Sequence, residues 1–267
     1  MAMRPRRGSA KPDTRAAGAP LSTADADEVR RFDAMAADWW RPDGVMKPLH
    51  AMNPVRLGFI RQQIDRHFGG DPRAVAPLKG RSVVDVGCGG GLLSEPMARL
   101  GASVTGLDPA AENIAVARAH AAAMGLSIDY RTQMIEEVAQ GGERFDLVLA
   151  LEVVEHVASI PAFVAALAEA AKPGGLVILS TLNRTLRSFG AAIVGAEYVM
   201  RWLPVGTHSW DKFVRPEELS RHLADAGLDV VETRGMIPEI LRGGLGGGWR
   251  LSSDTAVNYI MAAEKPG

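Results

Sequence analysis

From Arg81 onward the chain alternates short β-branched runs with helical stretches, and few folds accept that rhythm. Ser82–Val86 (SVVDV) reads as a buried strand running into glycines. A helical stretch over 91–100 follows, then the strand Ser103–Leu107 and an Ala-rich helix over 110–124 closed by Gly125. The pattern repeats with a strand over 127–131, a short helix over 134–139, the strand Phe145–Leu151 (FDLVLAL), a helix over 161–172 and a fifth strand over 175–181. Strands alternating with helices require a parallel sheet covered on both faces. Beyond an irregular region over 182–214 come a helix over 216–226, a strand over 228–234 and a last strand over 256–263. The glycine run at 243–248 joins those last two strands and favours antiparallel pairing at that end. The expectation is an α/β fold with a doubly wound, mostly parallel seven-stranded sheet. Helices over 25–38 and 53–68, flanking a loop with Trp, Pro and Gly, make residues 25–80 a helical cap ahead of a main domain over 81–267.

Composition narrows the setting. With 47% hydrophobic and 23% charged residues the chain can bury a large core, and a net charge of −1 removes the field that a nucleic-acid partner would need. One cysteine, Cys88, leaves no internal disulfide framework, so a reducing cytoplasm is the natural setting. No run of 18 apolar residues occurs. Residues 1–24 are rich in Ala, Arg, Pro and Gly, and read as a disordered tail. The same Arg-rich, acid-poor composition also fits an organelle transit peptide, while the apolar core of a secretory signal is missing.

The first strand runs into Asp85-Val86-Gly87-Cys88-Gly89-Gly90-Gly91. Glycines there, notably Gly87 and Gly89, allow a tight turn and the close approach of a ligand. Asp108 ends the second strand about 20 residues later, where a carboxylate can accept both hydroxyls of a ribose. A dinucleotide enzyme shares these features, but its loop is spaced G-x-G-x-x-G. Here Asp85 stands two residues before the first glycine, which suits a ligand with an ammonium group and no pyrophosphate. S-adenosylmethionine is favoured over NAD.

The run VVDVGCGGGLLSEPMARLGASVTGLDPAAENIAVARAHA resembles the cofactor-binding half of class I, Rossmann-like methyltransferases. FDLVLALEVVEHV and KPGGLVILSTLNR extend the likeness. WWRPDGVMKPLHAMNPVRLGFI (39–60) and THSWDKFVRPEEL (207–219) are similar to segments of the ubiquinone-biosynthesis O-methyltransferases, and the resemblance spans roughly residues 32–263. It implies methyl transfer from S-adenosylmethionine to phenolic hydroxyls of 2-polyprenyl-6-hydroxyphenol and 3-demethylubiquinol. It also implies cofactor contacts at Arg56, Gly87, Asp108 and Leu151, with Arg56 facing the methionine carboxylate. Gln133 and Met134, after the third strand, stand where adenine contacts are usual in this fold. Other proteins of ubiquinone biosynthesis are expected partners.

Glu152, Glu155 and His156 follow the fourth strand at i, i+3 and i+4, one face of a helical turn. Two carboxylates and an imidazole could hold Mg²⁺ or a similar ion, and the resemblance supports that role. A phenol of pKa about 10 is a poor nucleophile at neutral pH. A metal could lower that value, or His156 or Glu155 could remove the proton directly. Without a metal the same residues pack beside the substrate pocket.

Within an inserted segment over 184–214, Leu186, Phe189, Ile193 and Met200 recur at helical spacing, with Arg184, Arg187, Arg201 and Trp202 near the ends. Such a stretch suits either a lid or a peripheral position on the inner face of the membrane. Three rival functions remain open: methylation of a small soluble phenol or acid, a non-catalytic scaffold that binds the cofactor, and a dehydrogenase.

Overall fold

The computed structural model describes residues 23, 29, 30, 33, 35–41, 43–190, 210–239 and 248–267. Residues 1–22, the 191–203 part of the amphipathic stretch and the 243–247 part of the glycine run therefore lie outside the described residues.

The strands are β1 (Ser82–Val86), β2 (Ser103–Leu107), β3 (Asp129–Arg131), β4 (Phe145–Leu151), β5 (Ala171–Leu182), β6 (Asp229–Pro238), β7 (Trp249–Ser252) and β8 (Asn258–Glu264). They form one sheet in the order β3-β2-β1-β4-β5-β8-β6-β7. The first five are parallel, and β8 runs antiparallel to both β5 and β6. The sheet has eight strands, where the sequence pattern predicts seven. The extra strand is the four-residue β7, paired antiparallel with the end of β6. It is too short to show a period, and the glycine run before it reads as a linker.

Helices α1 (Lys47–Phe68), α2 (Ser94–Arg99), α3 (Ala111–Ala123), α4 (Ile135–Gln140), α5 (Ile160–Ala170) and α6 (Pro216–Asp225) cover the sheet. The alternation of strand residues decides which helix packs where. Val84, Val86, Val148, Ala150, Val177 and Leu179 point to the face covered by Ile135 and Val138 of α4, Phe163 and Leu167 of α5, and Leu219 and Leu223 of α6. Their neighbours Val83, Leu147, Leu149, Leu176 and Ile178 point to the face covered by Phe59, Ile60 and Ile64 of α1 and Met97 of α2.

Two element boundaries differ from the pattern for identifiable reasons. α1 begins at Lys47, ahead of the expected Asn53, because Pro48 takes the first-turn position that the sequence pattern gives to Pro54. Its buried residues Met52, Arg56, Phe59, Ile60, Gln63 and Ile64 form one stripe, so Arg56 is carried inward on the same face as the core. α5 stops at Ala170 and the chain enters β5 at Ala171. Pro173 drives Lys172 out of the helical region, which ends the helix before the predicted residue 172. Of the expected helix over 25–38, residues 29, 30 and 33 are helical and Ala36–Asp38 form a 3₁₀ turn.

Two glycines separate backbone strain from steric overlap. A Cβ at Gly125 (φ 68°) would meet nothing within 4 Å, whereas one at Gly235 would overlap the backbone carbonyl of Asp254. Gly125→Ala is expected to cost about 1 kcal/mol, the penalty of a left-handed non-glycine residue. Gly235→Ala should cost about 3 kcal/mol, because backbone cannot rotate away as a side chain would. Urea unfolding of the two variants checks the difference; equal costs would mean that the Asp254 backbone yields freely.

Candidate active site

The chain leaves β1 for β2 and β3 on one side, then returns through β4 to β5 on the other. Between β1 and β4 this reversal opens a crevice at the carboxyl edge, where open α/β sheets bind ligands. The sheet order places the residues after β3, β2, β1 and β4 side by side along that edge. Gln133 and Met134, Asp108, the glycine loop and the segment 151–156 are thereby brought into one row. The half-buried Gln133 and Met134 lie at the start of α4, with the Met134 amide donating to Glu137 Oε2 at 2.9 Å.

Asp108 is 6% exposed and accepts three hydrogen bonds: from the Gly89 amide on Oδ2 (2.9 Å), and from the Ala110 amide (2.9 Å) and Asn113 Nδ2 (3.2 Å) on Oδ1. Burial pushes its carboxyl up from the ordinary range, and these donors oppose the rise. A fixed, desolvated carboxylate is suited to gripping a pair of ribose hydroxyls.

Asp85 lies beneath the loop at 2% exposure, with Ser94 Oγ donating to its Oδ2 at 2.5 Å. Burial, reinforced by the nearby Asp108, pushes its carboxyl up to about 7, although Ser94 pulls the other way. Gly87, Gly89 and Gly91 have φ of 67°, 52° and 91°, which explains the residue type. What fills the missing Cβ positions is unexpected. Val153 approaches Gly87, Trp39 approaches both Gly89 and Gly90, and Tyr130 approaches Gly91. Close approach at this loop is made by the protein's own side chains.

Leu151 ends β4 in a buried position, and Glu152 follows with φ 57°. A left-handed non-glycine residue stores strain and is held by its neighbours. Here the Glu152 amide donates to the Ser180 carbonyl at 2.9 Å, and Ser180 Oγ donates to Glu152 Oε1 at 2.6 Å. The same oxygen lies 2.8 Å from Arg56 Nη2. Arg56 is 3% exposed, and its Nε and Nη2 have no hydrogen-bond acceptor among the described residues. The contact is thus an ion pair that leaves donors of the guanidinium without an aligned acceptor among the described residues.

Residues Val154–His156 form a 3₁₀ turn. Glu155 is 4% exposed and accepts from Thr181 Oγ1 at 2.7 Å; burial, then the charge of Glu152, pushes it up to about 7. His156 is half-buried beside it. The backbone here differs from the α-helical turn on which the expected metal face was drawn. A left-handed Glu152 followed by a 3₁₀ turn does not produce the i, i+3, i+4 alignment of an α-helix, and Glu152 is engaged by Arg56 and Ser180. Among the described residues no group of three His, Cys, Asp or Glu side chains is placed to hold a metal ion.

Several participants were missed by sequence reasoning. Ser94, Ser180 and Thr181 position the acids, and Asn113 ties Asp108 to Trp39. Thr23, within the stretch expected to be a tail, is buried at 2%, donates through Oγ1 to Glu136, and accepts from the Ala158 amide at 2.7 Å. The adjacent pair Trp39-Trp40 is the one signal of this covering visible in the sequence.

A doubly wound sheet with a buried carboxylate at the end of its second strand, an acid under a glycine loop and an arginine close by is the arrangement of a class I S-adenosylmethionine-dependent methyltransferase. Residues 58–233 match the family described as "Methyltransferase domain". A ubiquinone biosynthesis O-methyltransferase of Methylobacterium nodulans is 58% identical over 242 residues, covering 91% of this chain and 96% of that protein. Another, from Azorhizobium caulinodans, is 55% identical over 243 residues, covering 91% and 94%. The structure of magnesium protoporphyrin IX methyltransferase from Synechocystis PCC 6803 with bound SAH is similar at a TM-score of 0.57 and 26% identity, covering 90% of this chain and 100% of that one. The chain belongs to the ubiquinone biosynthesis O-methyltransferase family.

Asp85 makes the stability of this protein pH-dependent in a defined direction. Its folded value of about 7 lies above the ordinary 3.8, so the folded state holds the proton more tightly. Stability from this group is therefore present at low pH and declines between about 4 and about 7. Asp85→Asn cannot ionise. It should melt with the wild type near pH 3 and above it at pH 8 in thermal scans without ligand; an equal shift at both pH values would contradict the assignment.

Proposed function

We propose that this enzyme transfers the methyl group of S-adenosylmethionine to a phenolic hydroxyl of a polyprenylated ubiquinone precursor, with 2-polyprenyl-6-hydroxyphenol and 3-demethylubiquinol as its acceptors. The observation that carries the reading is the juxtaposition of Arg56 and Glu152 with Glu155 and His156 at the carboxyl ends of β4 and β5, next to the Asp108 edge. S-adenosylmethionine supplies an electrophilic methyl group, and in-line alignment matters more than acid–base strength for its transfer. The residues fit that molecule. Arg56 has donors to spare for the methionine carboxylate, Asp85 is the acid for the ammonium group, and Asp108 takes the ribose. Gly87 and Gly89 form the floor, Leu151 the wall, and Gln133 and Met134 the adenine end.

His156 is assigned as the group that takes the phenolic proton, with the Glu155 carboxylate buried behind it. A phenol of pKa about 10 needs that help at neutral pH. The proton is not routed through a divalent ion in this reading, because the Glu152 carboxylate is already held by Arg56 and Ser180. The test is methyl transfer from labelled S-adenosylmethionine to a short-chain 6-hydroxyphenol precursor. His156→Asn should lower kcat by about a hundredfold or more, with cofactor affinity retained in calorimetry; unchanged kcat would remove His156 from the chemistry. A chelator arm separates the two roles. Turnover that survives EDTA keeps His156 as base, and turnover lost to EDTA and restored by Mg²⁺ would overturn that assignment.

Access to a polyprenyl substrate calls for contact with the bilayer surface. No helix among the described residues is long and apolar enough to cross a membrane. At the start of the inserted segment, however, Leu186 is 82% and Phe189 43% exposed. Arg184 and Arg187 are paired with Glu218 (2.6 Å) and Asp254 (3.0 Å). Insertion of apolar side chains, more than attraction to anionic lipid, is therefore assigned as the source of peripheral binding. Leu186→Glu with Phe189→Glu should reduce co-sedimentation with liposomes, while 0.5 M salt, about a 4 Å screening length, should reduce it little. Undiminished sedimentation of the double variant would sink the membrane role.

A further inference from the structure

Trp39 and Asn113 are 74 positions apart, and the Trp39 indole Nε1 donates to Asn113 Oδ1 at 2.7 Å. Both residues are buried, Trp39 at 7% and Asn113 at 1%. An indole N–H donates and cannot accept, so the Asn113 atom facing it has to be the amide oxygen. The amide nitrogen is thereby turned toward Asp108 Oδ1, at 3.2 Å. A reversed amide would set oxygen against a carboxylate and leave two N–H groups facing an indole N–H.

The same indole lies over the glycine loop, where a Cβ at Gly89 or Gly90 would overlap it. The Gly89 amide is the donor to Asp108 Oδ2, at 2.9 Å. One side chain thus bears on both oxygens of the carboxylate, through Asn113 on one and through Gly89 on the other. Trp39 is itself held in place. His50 Nε2 lies 2.8 Å from its carbonyl oxygen, and the neighbouring Trp40 donates from Nε1 to the Gly90 carbonyl at 2.9 Å. Trp40 also stacks on His120 with ring centroids 3.5 Å apart and planes inclined by 7°.

We propose that Trp39 is a positioning residue for the cofactor ribose, setting the orientation of Asp108 through Asn113 and Gly89. This rests on the reading of Asp108 as the ribose carboxylate. Asp108 then receives its alignment from the N-terminal segment, outside the sheet that carries it. Asn113 reads as an ordinary helix residue by sequence, and acquires its role by facing Trp39.

Calorimetric titration with S-adenosylhomocysteine, and with its analogue lacking the 2′ and 3′ hydroxyls, tests the proposal on wild type, Trp39→Phe and Asn113→Ala. Phenylalanine keeps an aromatic ring over the loop and removes the N–H. Each single variant should weaken S-adenosylhomocysteine about tenfold, the scale of one hydrogen bond to a charged group, and the dideoxy analogue by less than about twofold. The double variant should bind no more weakly than Asn113→Ala. A merely structural Trp39 would weaken both ligands alike, and that result, or no weakening of either, overturns the proposal. A wild type that binds the two ligands equally overturns the ribose reading of Asp108 itself, and is distinguishable because it needs no variant.

Discussion

Burial of the central strands on both faces is the constraint from which the site follows. In β1, β4 and β5 both the even and the odd positions enter a core, one set against α4, α5 and α6, the other against α1 and α2. A strand interior so enclosed has no room for an uncompensated polar group. Polar chemistry therefore collects where the strands end. Asp108, Glu152, Glu155 and Asn183 all lie at or just past a carboxyl terminus, and each is tied to a backbone group or a hydroxyl that the neighbouring strand or turn provides. Arg56 reaches the same edge from α1 because its position on the helix falls in the apolar stripe, so the packing that covers the sheet also delivers the cation.

That enclosure reaches beyond the sheet. The loop after β1 would be an open cradle if its glycines faced solvent, yet Val153, Trp39 and Tyr130 fill the space beside four of them. The ligand crevice is consequently built from the turn after β4, from β3 and from the N-terminal segment, not from the loop alone. Thr23 and Asp33 extend the same covering along the edge, Thr23 at Ala158 and Asp33 Oδ1 accepting from the Glu112 amide at 3.2 Å. A methyl-transfer site gains from such a roof, since excluding water strengthens every charge interaction beneath it.

The alternation of strand and helix made the parallel half of the sheet legible, because β-branched runs of five to seven residues leave little choice of element and the connections leave little choice of hand. Asp108 was legible too, since its distance from the glycines is fixed by one βαβ unit. Other features depended on contacts between distant residues. β7 has too few residues to carry a period, and its existence depends on β6 continuing to Pro238. The glycines after Asp85 were correctly read as requiring no Cβ, but sequence could not say that an indole more than 45 positions earlier makes the requirement. Glu152, Glu155 and His156 have helical spacing, and that spacing becomes a shared face only if the backbone is helical. The two hydrogen bonds between Glu152 and Ser180, one donated by each residue, hold the backbone in the left-handed region instead.

Glu152 also shows why Arg56 can be buried and still be available. A guanidinium removed from water costs several kcal/mol unless a counter-charge accompanies it. Glu152 provides that charge at 2.8 Å, while Ser180 and the strained backbone fix where its carboxylate sits. The contact neutralises the arginine without saturating its fork, leaving Nε and Nη2 without acceptors among the described residues. An arginine carries five donors in a rigid plane, so one carboxylate can hold it while a second is recognised. The partial pairing keeps the cation in the apolar stripe of α1 and preserves its directional capacity for an incoming carboxylate. A fully bidentate Arg56–Glu152 pair would secure the helix equally well and would have less left to offer a ligand.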